Sequence, residues 1–218
     1  MDDDDELLDV LDEQGNVVGQ KSRADVHRAQ DRHGLVFAWS AWVDEGRGVM
    51  VLQRRSRSGD PFAARVDALA GGHIGAGETP VDAALREMQE EVGISAHAAD
   101  FVHLGSMRKD RPIGGCSRVI QHQLLYSVPV RLEALQFSAE VDGFIRVDLF
   151  EYAALALGER ERIPASARFA GADGIVTTEL LRSHMDYPDA ILDTFRRSLA
   201  SIQDWLREGL INPAHFEQ

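Results

Sequence analysis

The chain has 218 residues, 44% of them hydrophobic, and carries 36 Asp and Glu against 23 Lys and Arg for a net charge of −13. That length suits one domain with embellishments, and the charge excludes a general nucleic-acid binder, whose affinity rests on clustered Lys and Arg neutralising phosphates. No apolar run approaches the roughly 20 residues of a membrane span, the first residues are acidic where a signal peptide would be basic, and a lone cysteine, Cys116, has no internal disulfide partner; a cytoplasmic chain without membrane association is expected.

In chain order, residues 1–6 hold four consecutive aspartates and read as a solvated, disordered start. Leu7 to Val18 reads as a hairpin turning at Gly15-Asn16. Phe37–Val43 and Val49–Gln53, rich in β-formers, flank Asp44-Glu45-Gly46-Arg47-Gly48 and predict a second hairpin. The clearest helix runs from Thr79 to Val92: Thr79 is placed as N-cap, Pro80 suits the first turn, Asp82 completes a capping box and Gly93 suits the C-cap. Its apolar stripe, Val81, Ala84, Leu85, Met88 and Val92, reads as core packing.

Strands are expected at Phe101–Met107 and Val119–Val130, joined by a basic loop with Arg108, Lys109, Arg111 and Gly114-Gly115, and a further strand before a helix near Leu149–Leu157. Gly158 to Ser183, punctuated by Pro164, Gly171 and Gly174, reads as a loop-rich insertion. Pro188 then opens a helix in which Ile191, Phe195, Leu199, Ile202 and Leu206 recur at helical spacing until Gly209. The expected organisation is a domain over residues 7–157, with residues 158–218 packed on it. The apolar stripe of the last helix suits either cover for its own domain or a homodimer surface.

The segment from Gly72 to Ile94 carries the chemistry. A glycine loop leads into a helix on which Glu87, Glu90 and Glu91 stand at i, i+3 and i+4, so three carboxylates share one face. Like charges at that spacing destabilise a helix, whereas Mg²⁺ takes carboxylates together with waters and phosphate oxygens. Arg86 lies four residues from both Asp82 and Glu90 and suits a forked, orienting role, and Glu78 reaches the cluster from the loop bend. Taken alone, the acidic run fits a solvated helix face better.

The run Gly72, Glu78, Arg86, Glu87, Met88, Glu90, Glu91, Gly93 and Ile94 resembles the Nudix box at every specified position. The resemblance implies an α/β/α sandwich with a central mixed sheet and here a C-terminal helical extension. It also implies Mg²⁺- or Mn²⁺-dependent hydrolysis of a diphosphate linkage in a nucleoside diphosphate derivative or similar small molecule. Glu87, Glu90, Glu91 and Glu78 are then the metal ligands, with Arg86 in support and the base toward water open between Glu90 and Glu91. Glu140 before Val141 is a secondary candidate for metal or substrate contact.

The preceding region, through His27, His33, Phe37-Ala-Trp39, Leu52-Gln-Arg54-Arg55 and Gly72-His73, is similar to the type I isopentenyl-diphosphate isomerases of the same superfamily. That similarity implies metal binding by His27, His33 and His73 and diphosphate contact by Arg55. Arg54, Gly72 and His73 join Arg55 as candidate substrate contacts. The isomerase cysteine before Gly-His is replaced by Gly71, and its later glutamate pair aligns with Gln121 and Gln123. Glutamine cannot shuttle a proton as a carboxylate can. Hydrolysis is therefore favoured over isomerisation, and a non-catalytic nucleotide-sensing module is the third alternative.

Overall fold

The computed structural model describes residues 3–56, 62–110 and 118–217. Eleven strands and four α-helices are present among them. β1 (Leu7–Leu11) and β2 (Val17–Ser22) form the expected hairpin, but as a separate two-stranded sheet. It is clipped to the glycine loop of the box by a Leu8–Gly75 bridge and by Gly77 N–H donating to Asp9 at 2.9 Å. α1 (Arg23–Ala29) follows, with Ser22 capping its start by accepting from Asp25 N–H. Asp3–Asp5, expected to be disordered, form a 3-10 turn, and the Asp4 charge acts on His27 in α1.

The main sheet centres on β3 (His33–Asp44), which pairs antiparallel with β4 (Arg47–Arg55) through residues 40–44 and with β6 (Ala70–His73) through residues 35–38. The partner on this edge changes at Trp39, so the sheet splays there. β5 (Val66–Asp67) pairs with the far end of β4. The splay holds the Gly71-Gly72 backbone beside the helix α2 (Pro80–Val92). On its other edge β3 runs parallel to β8 (Val119–Tyr126), which pairs antiparallel with β7 (Phe101–Lys109). On the far side β4 pairs with β9 (Val141–Asp148), so the sheet is mixed, as expected.

Both faces of the sheet are covered, which explains why strand residues alternate between two apolar clusters. Trp39, Met50, Leu52, Ile145 and Val147 pack with α3 (Leu149–Leu157) and α4 (Asp189–Glu208), while Ala38, Val49, Val51 and Phe144 pack toward Met88 and Val92 of α2. The architecture is an α/β/α sandwich. α2 begins and ends as predicted: Thr79 and Asp82 form a reciprocal capping box, and Gly93 adopts the left-handed conformation at φ 74°. None of the helices among the described residues is long and apolar enough to cross a membrane.

The segment after α3 is not loop-rich. β10 (Arg162–Phe169) and β11 (Val176–Leu181) extend the sheet beyond β9. The strand signal was weak because Ile163, Ala165 and Ala167 bury small side chains, and Pro164 reads as a breaker. Pro164 is tolerated because it pairs only with β11, where β9 has already ended. Arg108 and Lys109 likewise close strand β7 and do not belong to a loop, while Arg111, Gly114, Gly115 and Cys116 lie outside the described residues. The stripe Leu192, Phe195, Leu199 and Ile202 of α4 is buried against its own sheet and α3, so it covers this domain.

Candidate functional site

The floor of the site is the buried face of α2. Glu87 and Glu91 are 9% and 5% exposed, on the same face as Met88 and Val92, whereas Glu90 stands at the rim with 59% of its side chain exposed. A helix in an ordinary sandwich would place apolar side chains there. Arg86 serves as the hub: its guanidinium donates to both carboxylate oxygens of Glu78 at 3.0 Å, to Glu87 Oε1 at 2.8 Å, to Glu90 Oε2 at 3.3 Å and to the His73 carbonyl at 2.9 Å. The Glu78 bond is the main cause raising the Arg86 pKa above its ordinary value. Glu78 also accepts from Gly75 N–H at 2.8 Å, and with Arg86 this holds its carboxyl below the usual range. Glu78 therefore orients the hub as well as facing the cluster.

Glu91 Oε2 accepts from Gly71 N–H at 2.9 Å and Gln53 Nε2 at 3.3 Å. Burial pushes its pKa well up, with Glu87 and Glu140 adding repulsion. Burial likewise raises Glu87 to about 7, only partly opposed by Arg86. Two buried carboxylates backed by a single hub arginine constitute a site with a deficit of positive charge. Gly72 keeps the front of Glu87 open: a Cβ there would fall 2.1 Å from Glu87 Oε1. Such oxygen donors fit a hard divalent cation.

A cavity of about 510 Å³ opens in front of these groups, lined on its polar side by Glu87, Glu90, Glu140, Asp67, Arg55 and Arg86. Glu140, read as a secondary candidate, thus joins the carboxylates. The two candidate arginines part company. Arg55 lines the cavity and bonds Asp67 at 3.2 Å, whereas Arg54 lies outside the lining, donating to Asp142 at 2.6 Å with its guanidinium 4.4 Å from the Phe169 ring centre. Adjacent strand residues face opposite ways, so one of a pair is lost to the other face.

The three histidines converge. His27 on α1, His33 at the start of β3 and His73 at the end of β6 bring ring nitrogens within 4.8 Å of one another, with His27 Nε2 and His73 Nε2 at 3.1 Å. His33 Nε2 is buried without a hydrogen-bond partner. Burial lowers all three pKa values, His33 to about 4 and His73 to about 2, which favours the neutral imidazole form that can ligate a metal. His73 lines the cavity and its carbonyl is bonded to Arg86, so the imidazole and carboxylate groups share a residue. Gly71 is tied to this arrangement also: a Cβ there would fall 2.7 Å from the Val36 carbonyl oxygen, leaving no room for a cysteine without backbone movement.

Several lining residues escaped the sequence reading. Arg23 enters from the start of α1 and Glu6 from just before β1, 3.9 Å apart, and Asp67 arrives on a two-residue strand. Lys109, named in the sequence as part of a basic loop, also lines the cavity, from the end of β7. Arg23 stands one helical turn before His27, but α1 is seven residues long with Val26 its only buried residue, too short to show a period.

Comparison with known proteins agrees with this geometry. A family model described as NUDIX domain matches residues 34–169. The chain is 28% identical over 152 residues to an uncharacterised Nudix hydrolase of Clostridium acetobutylicum, covering 69% of this chain and 73% of that protein. It is 46% identical over 91 residues to an uncharacterised Nudix hydrolase of Streptomyces coelicolor, covering 42% and 49% respectively, so it spans about half of that relative's length. A crystal structure from Deinococcus radiodurans shares the fold at a TM-score of 0.52 and 24% identity, over 70% of this chain and 90% of that one. With the family model covering well over half of the 218 residues, the chain belongs to the Nudix hydrolase family.

Proposed function

We propose that the chain is a divalent-metal-dependent hydrolase that cleaves the diphosphate linkage of a nucleoside diphosphate derivative or a similar small molecule. The observation that carries this reading is the pair Glu87 and Glu91, buried on one face of α2 with raised pKa values, with Glu87 open to the cavity beside Gly72. Burying two such groups is costly unless a cation satisfies them. Mg²⁺ or Mn²⁺ held by Glu87, Glu90 and Glu91 would neutralise charge developing on the phosphates and lower the pKa of the attacking water.

The chain's own groups prepare that step. Arg86 fixes Glu87 and Glu90 and is fixed in turn by Glu78, so its role is positioning. Gly71 N–H and Gln53 orient Glu91. Arg55, Arg23 and Lys109 supply positive charge to phosphate oxygens at the cavity, and the base toward water is drawn from the Glu90 and Glu91 pair. Water attacks phosphorus, the P–O–P bridge breaks, and two phosphate-bearing products leave. The proximity of His27, His33 and His73 supports a second, imidazole-ligated ion beside this centre.

The test is release of phosphate-containing products from a panel of nucleoside and conjugated diphosphates with Mg²⁺ or Mn²⁺. Activity in the unaltered chain and its loss in Glu91→Gln are expected; tight metal-dependent nucleotide binding with no turnover across the panel would instead assign a sensing module.

A further inference from the structure

Away from the cavity, an irregularity in β7, the edge strand of the main sheet, gathers a second group of imidazoles. In a regular strand residues 104 and 106 would share one face. Here the pairing with β8 slips between His103 and Gly105, so Leu104 is an extra residue. Leu104 and Met107, three positions apart, are both buried in the core cluster that holds Phe195, which turns His103 and Ser106 together toward the opposite face. The slip is pinned from the core side: a Cβ at Gly105 would fall 2.3 Å from Phe216 Cδ2.

Ser106, re-aimed in this way, stands directly across from His122 of β8, and His103 lies on the diagonal, opposite Leu124. Ser106 Oγ is 2.9 Å from His122 Nδ1 and 3.3 Å from His103 Nε2, and the two ring centres are 6.2 Å apart. None of the three residues lines the carboxylate cavity. Donor atoms held about 2 Å from one transition-metal ion stand about 3 Å from each other, which is the spacing found. Without an ion the same spacing makes a hydrogen-bond chain, in which one ring donates to Ser106 and Ser106 donates to the other. Burial lowers both histidine pKa values, His122 to about 4, which favours the imidazole form that can ligate. His103 is exposed, so an ion and its waters have a way in.

We propose that His103, Ser106 and His122 form a cross-strand site for Cu²⁺, with His122 Nδ1 and His103 Nε2 as nitrogen ligands and the Ser106 hydroxyl and water as oxygen ligands. A tetragonal set of nitrogen and oxygen donors is the arrangement Cu²⁺ prefers. Cu²⁺ also binds nitrogen donors more tightly than the other divalent first-row ions, so it is the ion that a site with only two imidazoles retains. Zn²⁺ is better served by the three imidazoles of His27, His33 and His73. The bound ion ties edge strand β7 to β8 through side chains, in addition to the backbone ladder. This site is independent of the hydrolase reading, since it shares no residue with the carboxylate cavity.

The experiment titrates Cu²⁺ into the unaltered chain, His103→Gln and His122→Gln at neutral pH, counting bound ion by calorimetry and electron paramagnetic resonance. His27, His33 and His73 are present in all three proteins, so any Cu²⁺ they take up is common to the series. Each variant is expected to bind one equivalent fewer than the unaltered chain, and the resonance signal that disappears should carry the coupling of two nitrogens. Hydrogen exchange at the β7 and β8 amides should slow on adding Cu²⁺ to the unaltered chain and not in the variants. Equal uptake by all three proteins overturns the proposal. Loss confined to one of two folded variants, or a lost signal with a single coupled nitrogen, overturns it as well. His103→Gln alters an exposed side chain and should keep its unfolding midpoint, so its result decides alone if His122→Gln does not fold.

Discussion

Two groups of ionisable side chains meet at His73, and the contrast between them explains how one site can offer different chemistries. The oxygen group, Glu87 and Glu91, is pushed by burial toward its protonated form; the nitrogen group, His27, His33 and His73, is pushed by the same burial toward its deprotonated form. Desolvation opposes charge of either sign. The outcome for a cation is opposite: neutral imidazoles are ready ligands, whereas neutral carboxylic acids must first release a proton. Oxygen donors favour hard ions and imidazoles favour borderline ones. Under the proposed function, one burial effect would make cation binding proton-coupled at the carboxylates and proton-independent at the imidazoles.

The comparison breaks first at Glu91. Glu91→Gln keeps the shape and removes the charge, and a fall of about 10³-fold in kcat/KM, several kcal/mol of transition-state stabilisation, is expected in steady-state assays. Retained activity would move the oxygen site elsewhere.

Next comes pH. Glu87 has a folded pKa of about 7, raised from 4.5, so between those values the folded chain holds a proton that the unfolded chain has lost. Stability without divalent metal should therefore fall as pH rises from 4.5 through 7, by on the order of 3 kcal/mol from this group. The lowered histidines have the opposite slope, since the unfolded chain takes up protons below pH 6.5 that folded His33 refuses until about pH 4. Chemical denaturation across this range with Glu87→Gln and His33→Gln separates the slopes, and added Mg²⁺ should flatten the limb above neutral pH. A Glu87→Gln profile identical to that of the unaltered chain would count against the charge deficit.

Arg86→Lys is expected to weaken Mg²⁺ affinity by about 10- to 100-fold, because an ammonium cannot fork onto Glu78 while bonding Glu87, Glu90 and the His73 carbonyl. Titration calorimetry reads this directly. The smallest effect sharpens the nitrogen side: at pH 5.5, Zn²⁺ binding should persist in Glu87→Gln and be lost in His33→Ala, whereas Mg²⁺ binding, measured above neutral pH where the carboxylates ionise, should follow the reverse pattern. Loss of both ions in both variants would make the groups one site.

How much was legible varied with the locality of the signal. α2 could be delimited almost residue by residue because Thr79, Pro80, Asp82 and Gly93 act within a few positions of each other. β10 and β11 were hidden because alanines carried their buried face and Pro164 mimicked a break. Arg55 and Arg54 looked equivalent until strand β4 sent them to different faces. The sequence names Glu87, Glu90 and Glu91 together as ligands on one helix face without separating them; the burial of Glu87 and Glu91 depends on Gly71 and Gly72 being held against α2 where β3 changes partners.

By itself the chain's order of residues determined the helix, its caps and the identity of the acids, since local hydrogen bonding and side-chain periodicity depend on near neighbours. Only the tertiary structure decided which acids lie in low dielectric, that His27, His33 and His73 meet across 46 residues, and that α4 lines the same cavity as His73. Those outcomes depend on desolvation and on distance in space, and both arise when the sheet brings remote segments together.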